Sequence, residues 1–276
     1  MDAPLSSSQP RAPTPATDSR RFQSAAAHYL RGRPEYPRRL VGDVSLLCGL
    51  NSSHRLLDLG CGPAPLAVMF APLVREVVAV DPEPAMLAVA ADHAARAAVS
   101  VRFVQSRGED LEPSLGTFRL VTIGRAFHWM DRTRTLARLD ALIEPEGAVV
   151  LFGDRHPEEY GANGWVKPYR AVLERFAVDD AGRAQRAAPE WQSHENVLLG
   201  SPFGTLERVT VIEQRLTPVA MFVERAFSMS STAPARLGGR AAQLADEVRE
   251  LMTRFATPAG DVAELIASEA LIARRT

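Results

Sequence analysis

The sequence predicts an α/β fold in which a seven-stranded, mostly parallel sheet carries helices on both faces, and three observations predict it. Short β-branched apolar runs alternate with helical runs through the middle of the chain. The connections between them are a dozen residues or more, the length that a parallel crossover needs. One of these strands runs directly into a glycine turn and then a helix, the order in which a Rossmann-like sheet presents its ligand loop.

Residues 1–20 hold Pro4, Pro10, Pro13 and Pro15 among serines and threonines, with almost nothing apolar to bury, and read as a disordered tail. Residues 21–50 turn helical and read as an N-terminal helical lid. The segment Arg33-Pro34-Glu35-Tyr36-Pro37 divides the lid into two short helices, because each proline forces its predecessor to extend. Residues 51–155 form the expected ligand-binding core. Its strands are predicted at Arg55–Leu59, Glu76–Val80, Val101–Gln105, Leu120–Gly124 and Ala148–Gly153, and its helices at Pro65–Leu73, Pro84–Ala97 and Arg132–Ile143.

From His156 to about Phe203 the rhythm breaks, and residues 156–235 read as an insertion or cap that roofs the pocket as a substrate lid. A strand-like run, Leu206–Glu213, and a helical stretch around Pro218–Met229 follow the break. Residues 236–276 then supply a long helix near Leu237–Phe255 and a final strand at Leu265–Ala273. Right-handed crossovers bring the strand C-termini to one edge, where ligands bind at the point at which strand order reverses.

Composition narrows the function classes. Hydrophobic residues make up 46% of the 276-residue chain and charged residues 24%, an ordinary globular mix. A formal net charge of -1 provides no basic field for a phosphate backbone, so nucleic acid is not expected as a partner. Lys167 is the only lysine, which reads as genomic base-composition bias. Two cysteines, Cys48 and Cys61, are too few for a disulfide framework or a cysteine zinc site. No apolar run reaches a membrane span and the first twenty residues lack a signal-peptide core, so a cytoplasmic protein without a membrane partner is expected, as a monomer or homodimer.

The strongest local signal is Leu56-Leu57-Asp58-Leu59-Gly60-Cys61-Gly62-Pro63-Ala64-Pro65. Gly60 and Gly62 let backbone approach a ligand, and the helix that follows offers free N–H groups. Nineteen residues beyond Gly62, Asp81 ends the second strand, where a carboxylate can hold both ribose hydroxyls. A nicotinamide cofactor can use similar geometry, but the third glycine of the dinucleotide fingerprint is missing, Pro65 occupies its neighbourhood, and Asp58 precedes the first glycine by two residues. Glu109 and Asp110 follow the third strand and can meet an adenine edge. The set suits a nucleoside joined to an amino acid better than a pyrophosphate.

This loop resembles motif I of the class I S-adenosylmethionine methyltransferases, and Asp81 resembles their ribose-binding acid. Three further segments narrow the likeness to the small-molecule branch that includes trans-aconitate methyltransferase-like proteins. They are Phe22 with Tyr29 and Arg33-Pro34-Glu35-Tyr36-Pro37; Gln105-Ser106-Arg107-Gly108-Glu109-Asp110; and Ala126-Phe127-His128-Trp129-Met130-Asp131. The resemblance spans residues 22–155 and implies S-adenosyl-L-methionine as cofactor, with S-adenosyl-L-homocysteine as product. It places Gly60, Cys61 and Gly62 at the methionine part, Asp81, Pro82 and Met86 at the ribose and adenine, and Gly108, Glu109 and Asp110 at the adenine rim. Ala126, Phe127, His128 and Trp129 would face the reacting centre, and Tyr29 and Arg33 would cover the cofactor. The sequence departs from the pattern at Arg125, where such proteins often carry glutamine, and at Ser106 and Gly108, where they commonly carry glycine and alanine.

Each candidate has a plainer alternative. Asp58 either contacts the cofactor or caps the turn by accepting backbone N–H bonds. Cys61 reads as a small loop residue rather than a nucleophile, since no histidine lies close in sequence. His128 is either a packed, hydrogen-bonded ring or a general base, and Trp129 is a pocket wall able to face a sulfonium. Tyr160, Trp165, Phe222 and Arg225, with His156, Trp191 and His194, are candidates for the substrate wall or for lid packing. No carboxylate and histidine cluster has metal-ligand spacing, so no metal is expected.

The expected reaction is in-line methyl transfer to an oxygen or nitrogen of a small molecule, possible classes being a secondary metabolite or a heterocycle. A lipid-quinone or RNA methyltransferase, a non-catalytic S-adenosylmethionine-binding partner protein and an NAD-dependent enzyme are the competing readings.

Overall fold

The computed structural model describes residues 25–178 and 188–276. The expected disordered tail, and Phe22, lie outside the described residues. A seven-stranded sheet organises the rest, in the order β3-β2-β1-β4-β5-β7-β6. Its strands are β1 (Arg55–Leu59), β2 (Glu76–Asp81), β3 (Arg102–Gln105), β4 (Phe118–Gly124), β5 (Ile143–Arg155), β6 (Thr205–Pro218) and β7 (Asp261–Arg274). Strands β1 to β5 are mutually parallel, and β7 runs antiparallel to both β5 and β6. Because the chain leaves β1 toward β2 and β3 and returns on the other side for β4 and β5, a crevice opens at the C-terminal end of β1.

The sequence places β1 at its observed bounds and underestimates β6 and β7. Beyond the end of the β5–β7 pairing at Arg155↔Ala267, β6 and β7 continue to pair with each other as far as Pro218↔Asp261. This distal part of the ribbon carries Glu213, Gln214, Arg215 and Glu264 among its apolar residues, which conceals its length from periodicity. The helix expected to reach Ile143 stops at Asp140, since Ile143 opens β5 beside Phe118.

Before β1 come α1 (Ala26–Gly32) and α2 (Arg38–Leu47), joined by an extended Arg33 ahead of Pro34. The crossover helices are α3 (Pro65–Phe70), α4 (Pro84–Arg96) and α5 (Arg132–Asp140). Between β5 and β6 lie α6 (Val166–Phe176) and α7 (His194–Leu199); between β6 and β7 lie α8 (Val219–Phe227), α9 (Pro234–Leu237) and α10 (Arg240–Thr253). The interval 156–235 therefore includes the edge strand β6 along with helices.

Strand periodicity sends Leu56 to one sheet face and Leu57 and Leu59 to the other, and each face has its own core. Leu56 packs with Phe70, Leu120 and Phe152; Leu57 packs with Val121, Leu136 and Leu151. A third cluster, built on Trp165, Tyr169, Phe222, Leu244 and Met252, joins α6, α8 and α10 to Val262 at the start of β7.

Candidate functional site

The crevice at the end of β1 is a cavity of about 780 Å³, in the upper part of the roughly 300–1,000 Å³ range of small-molecule sites. Its first wall is the glycine turn. Gly60 and Gly62 have φ of +64° and +52°, a conformation that strains any side chain. A Cβ on Gly60 would also stand 2.6 Å from the Ala126 Cβ, while the space beside Gly62 is open. The turn is thus pressed against the loop after β4 on one side and bare toward the cavity on the other.

Asp81 closes the turn from β2. Its Oδ2 accepts the Gly62 N–H at 2.9 Å and its Oδ1 accepts the Glu83 N–H at 2.9 Å. Burial pushes its pKa up, while these two N–H bonds oppose the rise. Asp58 stands behind the turn and off the cavity. It is 1% exposed, takes the Ala67 N–H at 3.1 Å and the Thr122 hydroxyl at 2.8 Å, and so caps α3 and ties β1 to β4. Of its two alternatives the structure supports the capping one, because every oxygen contact is internal. Burial pushes the Asp58 carboxyl up to about 7, against the pull of Thr122 and Ala67.

Pro82, Met86 and Gly108 line the cavity beyond Asp81, joined by Glu109, whose Oε1 accepts the Asp131 N–H at 2.7 Å. Asp110 turns outward and pairs with Arg134 at 3.0 Å, so it does not line the cavity. Cys61 is buried beneath the turn, and burial pushes its thiol well up, which disfavours a nucleophilic thiolate. Phe127 is likewise buried, 5.2 Å from the His194 ring.

Tyr29 and Arg33 descend from α1 to the cavity. The Arg33 guanidinium lies 5.5 Å from the Tyr29 ring and donates weakly to the Ser228 carbonyl at 3.4 Å, but its Nε is buried without a partner. An orphaned buried donor costs about 1–3 kcal/mol, and an anionic ligand group would relieve it. Arg125, at φ +55°, covers the Tyr36 ring at 4.4 Å, pairs with Asp154 and donates to the Pro34 carbonyl at 2.7 Å. Burial alone would lower its pKa, yet the Asp154 carboxylate holds it raised. The departure from glutamine at this position therefore carries a charge that fastens the β4 loop to the N-terminal segment.

Ala126, His128 and Trp129 face the cavity, with the His128 and Trp129 rings 4.7 Å apart. His194 of α7 faces it too, nearly parallel to His128 at 6.5 Å. Four expected substrate residues are elsewhere. Trp165 and Phe222 meet at 4.9 Å inside the third hydrophobic cluster, because their helices bury those faces against α10. Arg225 is buried and paired with Glu264 at 2.8 Å, and Tyr160 is 39% exposed off the cavity. His156 is also held by Glu264, at 2.9 Å.

The cavity includes residues that the sequence did not single out. Glu83 has a local signal, since it caps α4 by accepting the Ala85 N–H. Gly153, Glu195, Arg208 and Glu269 have none, as only strand pairing and the placement of α7 bring them together. Among the described residues no group of histidine, cysteine, aspartate and glutamate is suited to a metal ion, and no helix is long and apolar enough to cross a membrane.

The residues present fit a nucleoside joined to an amino acid: a bare glycine turn, a carboxylate beside it and a guanidinium with a free buried donor. Comparison with known proteins agrees. Residues 56–147 match the family model described as a methyltransferase domain. Over 236 residues the chain is 29% identical to an uncharacterized methyltransferase of Mycobacterium bovis, covering 84% of this chain and 85% of that one. It is 28% identical over 163 residues to the probable S-adenosylmethionine-dependent methyltransferase CRG1 of Saccharomyces cerevisiae, and spans about half of that protein, 55% of each chain being covered. The fold matches a crystal structure of an S-adenosylmethionine-dependent methyltransferase from Thiobacillus denitrificans in complex with S-adenosyl-L-homocysteine, with a TM-score of 0.51 and 15% identity over 92% of this chain and 98% of that one.

Proposed function

Starting from a chain that belongs to the class I S-adenosylmethionine-dependent methyltransferases, we propose that it methylates an oxygen or nitrogen of a small molecule held in the half of the cavity bounded by His128, Trp129 and His194. The observation that carries this reading is the cavity itself, about 780 Å³, whose lining includes both the glycine turn with Asp81 and this aromatic wall.

When bound, S-adenosylmethionine would supply an electrophilic methyl group on a positively charged sulfur, with the neutral thioether of S-adenosylhomocysteine as the leaving group. Asp81 would hold the ribose hydroxyls, its carboxylate being already oriented by two N–H bonds. Pro82 and Met86 would flank the adenine, with Glu109 at its rim. The unpartnered Nε of Arg33 would take the carboxylate of the amino-acid part. His128 would remove the proton of a hydroxyl acceptor, while Tyr29 and α1 exclude water above the site. Positioning supplies the remaining acceleration, because the leaving group is intrinsically good. We place the protein in a reducing compartment such as the cytoplasm, consistent with its two buried free cysteines.

Calorimetric titration with S-adenosylmethionine and S-adenosylhomocysteine tests the reading. The wild-type protein should bind both, and Asp81→Ala should weaken binding about 10- to 100-fold, the loss of hydrogen bonds to a charged group. Wild-type protein that ignores both nucleosides, or that binds NAD instead, would overturn it.

A further inference from the structure

Gly153 lies in β5 near the strand's C-terminal end, two residues after Leu151 and opposite Glu269 of β7. Glycine inside a strand costs about 0.5–1 kcal/mol relative to alanine, so a strand glycine needs a reason. Crowding explains others in this chain: a Cβ on Gly60, Gly124 or Gly147 would meet an atom at 2.6, 2.9 or 2.6 Å. Backbone conformation explains those with positive φ. Neither applies to Gly153, where a Cβ would meet nothing within 4 Å and φ is not left-handed.

The open space over Gly153 is part of the cavity, which it lines together with Leu151 and Leu271. These two leucines are paired across β5 and β7 and form an apolar floor next to the bare backbone of Gly153. The facing wall is aromatic, with Trp129 and the near-parallel imidazoles of His128 and His194. Beside Gly153 the carboxylate of its cross-strand partner Glu269 is neutralised by Arg155 at 3.0 Å and by Arg208 at 2.7 Å, and Glu195 is neutralised by Arg208. The compartment is therefore apolar over Leu151 and Leu271, aromatic at its wall and charge-balanced beside Gly153.

We infer that Gly153 determines acceptor specificity by leaving room for a flat ring against the β5 backbone, so that the acceptor is a planar, uncharged, hydroxylated aromatic whose oxygen is presented to His128. A strand glycine marks a place where a ligand approaches backbone closely, and a planar ring gains most from a floor without side chains and an aromatic wall. The inference rests on the methyltransferase reading for the other half of the cavity.

The test is fluorescence titration of 7-hydroxycoumarin and 2-naphthol into protein saturated with S-adenosylhomocysteine, with cyclohexylmethanol as a non-planar competitor. Wild type, Gly153→Ala and Gly153→Val are compared, the last being well suited to a strand. The expected result is binding of both flat phenols to the wild type, a moderate loss in Gly153→Ala and at least a tenfold loss in Gly153→Val. S-adenosylhomocysteine affinity should stay within twofold, and cyclohexylmethanol should compete poorly. Equal binding to Gly153→Val, or no phenol binding by protein that holds S-adenosylhomocysteine, overturns the inference and leaves the cofactor reading standing. Absence of S-adenosylhomocysteine binding by the wild type sinks both.

Discussion

Arg225 and Glu264 are joined in the interior by two hydrogen bonds, Nη1 to Oε2 at 2.8 Å and Nη2 to Oε1 at 3.1 Å, while Arg225 Nε donates to the Gly32 carbonyl at 3.2 Å. One guanidinium thus fastens the last strand to the end of α1, immediately before Arg33. Breaking a buried ion pair strands its partner, so Arg225→Leu or Glu264→Ala should each cost about 3–5 kcal/mol in urea unfolding. An unchanged midpoint in either variant would contradict this.

Acid should act on the same pair. Burial alone would raise the Glu264 pKa, but His156 and Arg225 hold it well below the ordinary carboxylate range. A depressed carboxylate contributes stability that is fully present above its unfolded pKa, about 4.3, and is lost as pH falls below that. In Glu264→Gln this contribution is absent, so its stability should decline less than that of the wild type between pH 5 and pH 2 in thermal melts (an interval chosen around that value of roughly 4.3).

Gly32 is the contact point between α1 and α8. A Cβ there would lie 2.4 Å from the Glu224 carbonyl carbon and oxygen and 2.5 Å from the Arg225 nitrogen, all of them backbone atoms that cannot yield. Gly32→Ala should push α1 away, at about 1–3 kcal/mol of overpacking. Tyr29 and Arg33 would move with α1, so calorimetric affinity for S-adenosylhomocysteine should drop about tenfold or more, the equivalent of roughly 1.4 kcal/mol. Full affinity would show that α1 plays no part in the site.

The Asp58 carboxyl, pushed up to about 7 by burial, has the opposite sign from Glu264. Its folded pKa exceeds the unfolded value of about 3.9, so the folded state holds a proton that the unfolded state releases, and stability falls as pH rises between those values. Asparagine retains an acceptor for the Ala67 N–H and cannot ionise. Asp58→Asn should therefore gain on the wild type as pH is raised from about 4 to about 7, measured as the difference in Tm between the two proteins. A difference independent of pH would refute the assignment.

Removal of His128 separates chemistry from binding. In His128→Ala, methyl transfer to a hydroxylated aromatic acceptor should fall about 10²- to 10⁴-fold in kcat, the usual contribution of a general base. S-adenosylhomocysteine affinity should change little. Loss confined to KM would instead identify the imidazole as part of the acceptor wall.

The half of the cavity around the glycine turn was legible because its signals are local. The strand β1, the turn at Gly60 and Gly62 and the strand-ending Asp81 fall within about one βαβ unit, where periodicity of 2 gives way to periodicity of 3.6 and glycine marks the backbone that needs it. Tyr29, Arg33, Glu109, His128 and Trp129 all reach the cavity as their segments implied. Asp58 shows the limit even there. Its type and position fit a ligand or a cap equally, and only the contacts with Ala67 and Thr122 decide.

What the sequence by itself determined is the class of sheet, the glycine turn and the carboxylate of Asp81 beside it, since each follows from the conformational preferences of a few consecutive residues. Tertiary structure alone decided which aromatic residues after β5 meet the cavity. Trp165 and Phe222 present the same apolar helical pattern whether they face a ligand or α10, and burial against α10 took them out of reach. Arg208 and Glu269 came together because β6 and β7 pair antiparallel at the sheet edge, and Gly153 lines the same cavity as His128 and Trp129 because β5 and the loop after β4 end at one edge of the sheet. Those contacts join residues tens of positions apart, and local conformational preference does not encode which distant side chains will share a surface.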